Sequence, residues 1–154
     1  MGDISARAVS PEGLAKPSSA IRAVIVLDTH AWLWLCVEPQ RLSRTAATAI
    51  RRATSQGGLA IASITLLEVA RLVARGRVLP QGSAEAWLTA LVDRSHVTVK
   101  DITPVVAALA AHFPDDFPGD PADRLIAATA RADGMALVTR DARMRASAVV
   151  ETIW

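Results

Sequence analysis

The chain has 154 residues, 51% of them hydrophobic and 21% charged, a balance typical of one globular domain and not of a disordered chain. Its 17 Lys and Arg against 15 Asp and Glu give a net charge of +2, which by itself does not indicate a nucleic-acid-binding protein. The single cysteine excludes an internal disulfide framework and a cysteine-rich zinc module.

Neither a membrane anchor nor a secretion signal is predicted. The longest apolar runs, 31–37 and 105–111, have seven residues each, whereas a membrane-spanning helix needs about 20. The N-terminus lacks the apolar core of a signal peptide. We therefore expect a cytoplasmic protein with no membrane association. Residues 1–22 are rich in Pro, Gly and Ser, which predicts a flexible N-terminal arm followed by a folded domain at 23–154.

After this arm, predicted strands alternate with predicted helices. Short apolar, β-branched runs predict buried strands at 23–27, 59–62, 97–100 and 135–139, with an edge strand at 149–153. Capping residues and apolar stripes predict helices through 32–37 and at 44–54, 63–74, 83–94, 103–112, 121–133 and 141–146. Strands separated by helices predict an α/β sandwich around a mostly parallel sheet.

Acidic residues follow three of the predicted strands. Asp28 comes directly after the first strand, Glu68 lies on the helix after the second, and Asp141 closely follows the fourth. Asp120 and Asp123 open the helix that precedes the fourth strand. Because working sites of parallel sheets lie beyond the carboxyl ends of the strands, these acids are candidate site residues.

Each acid also has a purely local explanation. Asp28, Asp120 and Asp141 can cap the helices that follow them, and Asp123 can complete a capping box. Glu68 can pair with an arginine three residues further along its helix. The spacing of the residues alone leaves open whether the carboxylates converge.

A converging group of carboxylates would need a counter-ion. Several carboxylates at one end of a sheet repel one another, and their burial is costly unless a cation neutralises them. Mg²⁺ prefers oxygen ligands and keeps part of its water shell. Near a phosphodiester it would polarise a phosphoryl oxygen and acidify a bound water. One metal or two would be compatible with this chemistry.

Four motifs occur in an order that resembles a known family: LDTHAWLW at 27–34, SITLLEVARL at 63–72, DPADRLIAATA at 120–130 and LVTRD at 137–141. Together they are similar to the PIN-domain ribonucleases of the VapC toxin type, over residues 25–154. The resemblance implies a three-layer α/β/α fold and an endoribonuclease that depends on Mg²⁺, with Mn²⁺ as a possible substitute. It also implies a homodimer and a VapB-like antitoxin that blocks the active site.

The resemblance further implies roles for individual residues. The acidic quartet of the family corresponds to Asp28, Glu68, Asp123 and Asp141. The three aspartates of this quartet would hold the metal, with the glutamate acting directly or through water. Asp120 matches an auxiliary acid of the family, and Thr139 matches a hydroxyl that bonds the carboxylates or a water.

Two arginines stand next to site acids in the sequence. Arg124 and Arg140 are therefore candidate RNA contacts, although charge balance for the carboxylates explains them equally well. The three histidines have no suitably spaced Cys or His partner, which argues against a zinc site. The apolar surroundings of Trp34 predict a place in the core or at a dimer interface.

Two other classes of protein compete with the nuclease. A binding module that keeps the fold without cleaving RNA is the main alternative, and the intact acidic quartet argues against it. A phosphotransfer enzyme would commonly carry a second aspartate two residues after Asp28, where His30 stands. Neither a phosphate-binding glycine loop nor a nucleophile elbow occurs in the sequence.

Overall fold

The computed structural model describes residues 24–154. The predicted arm of residues 1–22 lies outside the described residues, as does the first residue of the predicted domain. Among residues 24–154, no helix combines the length and apolarity needed to cross a membrane.

The centre of the described fold is a parallel sheet of five short strands. The strands are β1 (Ile25–Leu27), β2 (Leu59–Ala62), β3 (Val97–Lys100), β4 (Ala136–Val138) and β5 (Thr152–Ile153). Their order across the sheet is β3-β2-β1-β4-β5, and all four pairings are parallel. The predicted edge strand is shorter than expected, because residues 148–150 form a bend, in which the Val149 carbonyl accepts a hydrogen bond from the Arg131 guanidinium.

Helices connect the strands and cover both faces of the sheet. They are α1 (Thr29–Val37), α2 (Arg44–Gln56), α3 (Ser63–Ala74), α4 (Ala84–Ser95), α5 (Pro104–Ala111), α6 (Pro121–Ala132) and α7 (Ala142–Ala146). A short 3₁₀ turn over Pro39–Arg41, which the sequence did not predict, joins α1 to α2. Serine or threonine hydroxyls cap α2, α4 and α5 as the sequence predicts.

Alternation along the strands divides the core into two layers. Val26 and Leu137 face one layer, in which α5 and α6 pack around Phe117. Leu27 and Val138 face the other, in which α1, α2 and α4 pack around Trp32. Successive side chains of a strand point to opposite faces, so apolar strands support helices on both sides. The predicted three-layer α/β/α fold is confirmed.

The strand order places a crevice between β1 and β4. The chain proceeds from β1 through β2 to β3 on one side of the sheet, whereas β4 and β5 lie on the other side of β1. Ligand sites of open α/β sheets lie at such a switch point, beyond the carboxyl ends of the strands. The crevice therefore marks where a site is expected.

Candidate active site

Asp28 occupies the crevice at the carboxyl end of β1. Its backbone N–H donates to the Val138 carbonyl of β4 at 3.0 Å. Its carboxylate caps α1 by accepting from the Ala31 N–H at 2.7 Å, and only 8% of the residue is exposed. Burial raises the pKa of Asp28, against the opposing effects of the Thr139 hydroxyl and the Ala31 N–H. The local capping explanation is thus correct for Asp28, but it does not account for the burial.

Thr139 and Asp141 follow β4 on the neighbouring strand end. Asp141 caps α7 through the N–H groups of Arg143 and Met144, at 2.9 and 2.8 Å, and is exposed. The fully buried Thr139 hydroxyl accepts from the Asp141 N–H at 3.0 Å and donates to the Met144 sulfur at 3.7 Å, and it opposes the rise in the pKa of Asp28. The Thr139 hydroxyl therefore acts on both acids, through the backbone of Asp141 and through its effect on the pKa of Asp28.

Asp120 and Asp123 begin α6, which packs beside the crevice. Asp120 is an exposed N-cap that accepts from the Ala122 N–H at 2.8 Å. Asp123 is half-buried, and within residues 24–154 its carboxylate accepts no hydrogen bond, so the predicted capping box does not form. Burial, followed by repulsion from the carboxylates of Asp120, Glu68, Asp141 and Asp28, raises the pKa of Asp123 to about 6.

Glu68 reaches the same region from α3. Its carboxylate accepts a hydrogen bond from the Thr29 hydroxyl, at the first residue of α1. Within the described residues it forms no ion pair with Arg71, which was the local explanation for it. The sequence analysis did not identify Thr29 as a site residue, and its position directly after Asp28 is the one signal in the sequence that points to it.

The four acids of the predicted quartet are therefore electrostatic neighbours drawn from four separate segments. Each of the other three raises the pKa of Asp123. Within residues 24–154, however, no three acidic, His or Cys side chains are arranged as ready ligands of one ion. The donor set nevertheless suits Mg²⁺, which prefers carboxylate oxygens and completes its shell with water.

Arg124 points toward the protein backbone. Its guanidinium donates to the carbonyls of Ala110, Phe113, Pro114 and Pro118, at 3.0 to 3.3 Å, and so all three of its nitrogens are engaged. These bonds tie the end of α5 and the loop after it to the first turn of α6. The structure therefore gives Arg124 a structural task, and its predicted contact with RNA stays untested.

Arg140 lines a cavity of about 500 Å³ together with Asp28, Asp123 and Asp141. The same cavity is lined by Arg41, which no sequence pattern had suggested and which is brought there by the unpredicted 3₁₀ turn. Both guanidinium groups lie over the ring of Trp34, at 4.6 Å for Arg41 and 5.8 Å for Arg140. The cavity thus has an acidic side and a cationic side.

Comparisons with known proteins agree with this architecture. Residues 25–149 match the family model of the PIN domain. The chain is 46% identical to ribonuclease VapC22 of Mycobacterium tuberculosis over 121 residues, which is 79% of this chain and 89% of that protein.

Solved structures with the same fold come from toxin–antitoxin complexes. A chain of the DNA-bound VapBC2 complex of Rickettsia felis superposes with a TM-score of 0.65 at 16% identity, covering 84% of this chain and 96% of that one. A chain of DNA-bound VapBC from Salmonella typhimurium gives a TM-score of 0.61 at 19% identity, covering 83% and 95%. At these identities the likeness concerns the fold. With the family model and the curated relative, it confirms the prediction from the motifs: the chain belongs to the PIN-domain family and, within it, to the VapC proteins.

Proposed function

We propose that this protein is the ribonuclease toxin of a toxin–antitoxin pair, and that it cleaves RNA at the carboxylate cluster of Asp28, Glu68, Asp123 and Asp141. The observation that carries the proposal is that Asp28, Asp123 and Asp141 line one cavity beyond the sheet, where they and Glu68 repel one another enough to add to the raised pKa of Asp123. Such mutual repulsion costs stability in the folded chain. A group of carboxylates that lowers the stability of the folded chain in this way is typical of a functional site. Ribonuclease VapC22, the 46% identical relative, supports RNA as the substrate.

A divalent cation, Mg²⁺ or Mn²⁺ in its place, is the cofactor that we propose for this donor set. Asp28, Asp123 and Asp141 would hold the ion, with Glu68 as a direct ligand or a ligand through water. When bound, such an ion polarises a phosphoryl oxygen and lowers the pKa of a coordinated water. The carboxylates must be ionised to hold it, so binding of the ion competes with a proton on Asp123.

The chain's own groups hold the acids in place for this role. The Ala31 N–H fixes the Asp28 carboxylate at the end of β1, and the Thr139 hydroxyl favours the ionised form of that carboxylate. The Thr29 hydroxyl orients Glu68, and the Asp120 cap fixes the first turn of α6 from which Asp123 projects. Each of these contacts joins a site acid to a buried or backbone group, so the acids are positioned before substrate arrives.

The reaction that we propose is hydrolysis of a phosphodiester. Water attacks phosphorus in line, the bond from phosphorus to the 3′ oxygen breaks, and the departing oxygen takes up a proton. The products are a 5′-phosphate and a 3′-hydroxyl. Because the attacking oxygen comes from water, the neighbouring 2′-hydroxyl of the RNA takes no part, in contrast to metal-free ribonucleases.

The partners that we propose are an antitoxin of the VapB type and a second copy of the chain. Several structural neighbours are VapBC complexes, which supports a VapB-like partner. The homodimer rests on the family resemblance. The RNA that is cut is not specified by any feature of the cavity.

The test is cleavage of total cellular RNA by the purified, antitoxin-free protein. Cleavage should require Mg²⁺ or Mn²⁺, stop with a chelator, and leave 5′-phosphate ends. Asp28→Asn and Asp141→Asn should lose it. Asp93→Asn, which removes an exposed carboxylate of α4 away from the cavity, should keep it. Metal-independent cleavage, 2′,3′-cyclic phosphate ends, or full activity of Asp28→Asn would contradict the proposal.

The same assay separates the nuclease from the binding module. A protein that binds RNA with measurable affinity but leaves every RNA intact, with metal present and the fold verified, would favour the non-cleaving alternative. The four mutually repelling carboxylates argue against it, because a module that only binds RNA has no use for negative charge beside a phosphate backbone.

A further inference from the structure

A second, larger cavity lies beside the acidic one. Its volume is about 920 Å³, and it is bounded by α1, α4 and the connection between α3 and α4. Its charged lining consists of the arginines Arg41, Arg77 and Arg94, together with His30 and one carboxylate, Glu38. This cavity therefore presents a predominantly cationic surface, in contrast to the three aspartates of the smaller cavity.

The two cavities are joined at a cationic junction. His30, Trp34 and Arg41 line both of them. The Trp34 ring, itself 5% exposed, supports the guanidinium groups of Arg41 and Arg140. A cation within about 6 Å of an aromatic face is attracted to it. Stacking uses the face of a guanidinium and leaves its N–H groups at the edge free to bind a ligand.

The arginines that line the two cavities have little competing ionic contact. Arg41 approaches Glu38 at 3.7 Å, an exposed pair of the kind that contributes little. Among residues 24–154, none of Arg77, Arg94 and Arg140 forms an ion pair. Their charge is thus available to an anion that enters the cavities.

We propose that the larger cavity is the track along which single-stranded RNA reaches the acidic site. Arg41 and Arg140 bind the phosphates nearest the carboxylates, and Arg77 and Arg94 bind phosphates further along the strand. This rests on the proposed function, because it assumes that RNA is cleaved at the acidic cluster.

Electrostatics favours RNA as the occupant. A phosphate that approaches four carboxylates is repelled, so the substrate must gain attraction nearby, and Arg41 and Arg140 line the acidic cavity together with the aspartates. Apolar side chains such as Leu33, Val37 and Trp87 share the larger cavity with the arginines. Cationic grooves with apolar or aromatic walls suit a flexible strand, because they bind phosphates and unstacked bases together.

The experiment measures binding of a labelled, unstructured RNA to the full chain carrying Asp28→Asn, with Mg²⁺ present and over a range of salt concentrations. Arg41→Ala and Arg140→Ala should each weaken binding about 3- to 10-fold and reduce the salt slope by about 0.7, the value for one phosphate contact on a single strand. Arg41→Lys should recover most of the slope. Arg51→Ala, on an exposed face of α2, should match the parent in affinity and slope.

The proposed track also predicts how the effect of these arginines on affinity depends on RNA length. Arg77→Ala with Arg94→Ala should weaken binding of a long oligonucleotide and leave binding of a di- or trinucleotide unchanged. Parental affinity and slope for Arg41→Ala and Arg140→Ala would overturn the track. So would loss of antitoxin binding in Arg41→Ala, in Arg140→Ala and in the double variant of Arg77 and Arg94, with RNA binding intact, because the surface would then be a protein interface. In either case metal-dependent cleavage by the unmodified chain would still stand, whereas its absence would refute the proposed function itself.

Discussion

Replacement of Asp123 by asparagine is predicted to stabilise the metal-free protein at neutral pH. In the folded chain the pKa of Asp123 rises from its ordinary value of 3.8 to about 6, chiefly by burial and then by the neighbouring carboxylates. This difference corresponds to about 3 kcal/mol. Asp123 is only half-buried, so solvent screening reduces the expected gain to about 1–2 kcal/mol.

The sign of the pH dependence follows from which state holds the proton. Below about pH 4 the carboxyl is protonated in both states, and the charge costs nothing. Between pH 4 and pH 6 the unfolded chain loses the proton while the folded chain retains it, so stability falls as pH rises. Above pH 6 the Asp123 carboxyl is ionised in both states, and the loss of stability that its charge causes has reached its full value. The amide that replaces the carboxyl carries no charge, so the advantage of Asp123→Asn should grow across this window and then level off.

The assay is urea unfolding of parent and variant in a chelator at several pH values from 4 to 8. Asp93→Asn serves as the control, since this exposed carboxylate lies outside the cluster. The free energy of unfolding should differ between parent and Asp123→Asn by little at pH 4 and by about 1–2 kcal/mol above pH 6. A variant that is less stable than the parent at pH 7, or a difference that does not change with pH, would refute the electrostatic account.

Three further predictions follow from other contacts of the site. Arg124→Met should lower the free energy of unfolding by about 2–3 kcal/mol, because four carbonyls lose a charged donor and only some regain water; a loss below about 0.5 kcal/mol in chemical denaturation would contradict this. Asp28→Ala should be about 1 kcal/mol less stable than Asp28→Asn, since asparagine still caps α1, and equal stabilities in the same assay would argue against the cap. Mg²⁺ should raise the melting temperature of the parent more than that of Asp123→Asn in thermal unfolding, because a cation that binds only the folded state stabilises it; equal shifts would exclude Asp123 as a ligand.

Several features of the fold could be predicted from local sequence alone. Short β-branched runs and hydroxyl caps gave the right strands and helices, because strand burial and helix capping depend on residues close together in the chain. The caps of Asp28, Asp120 and Asp141 were predictable for the same reason. The four family motifs indicated the acids of the quartet, although spacing by itself did not show that they meet.

The contacts of the site depended on tertiary structure. Strand order places β1 between β2 and β4, so acids about 40 to 110 residues apart in the chain become neighbours around Asp28. The hydrophobic pattern of a strand does not reveal its position in the sheet, because that pattern reflects only which faces of the strand are buried. Arg41 reaches the cavity through a 3₁₀ turn that lacks an apolar pattern. Arg124 meets carbonyls because α5 packs on α6. The sequence by itself determined which residue types were available for chemistry. The strand order, which places β4 beside β1, decided which of those residues face one another.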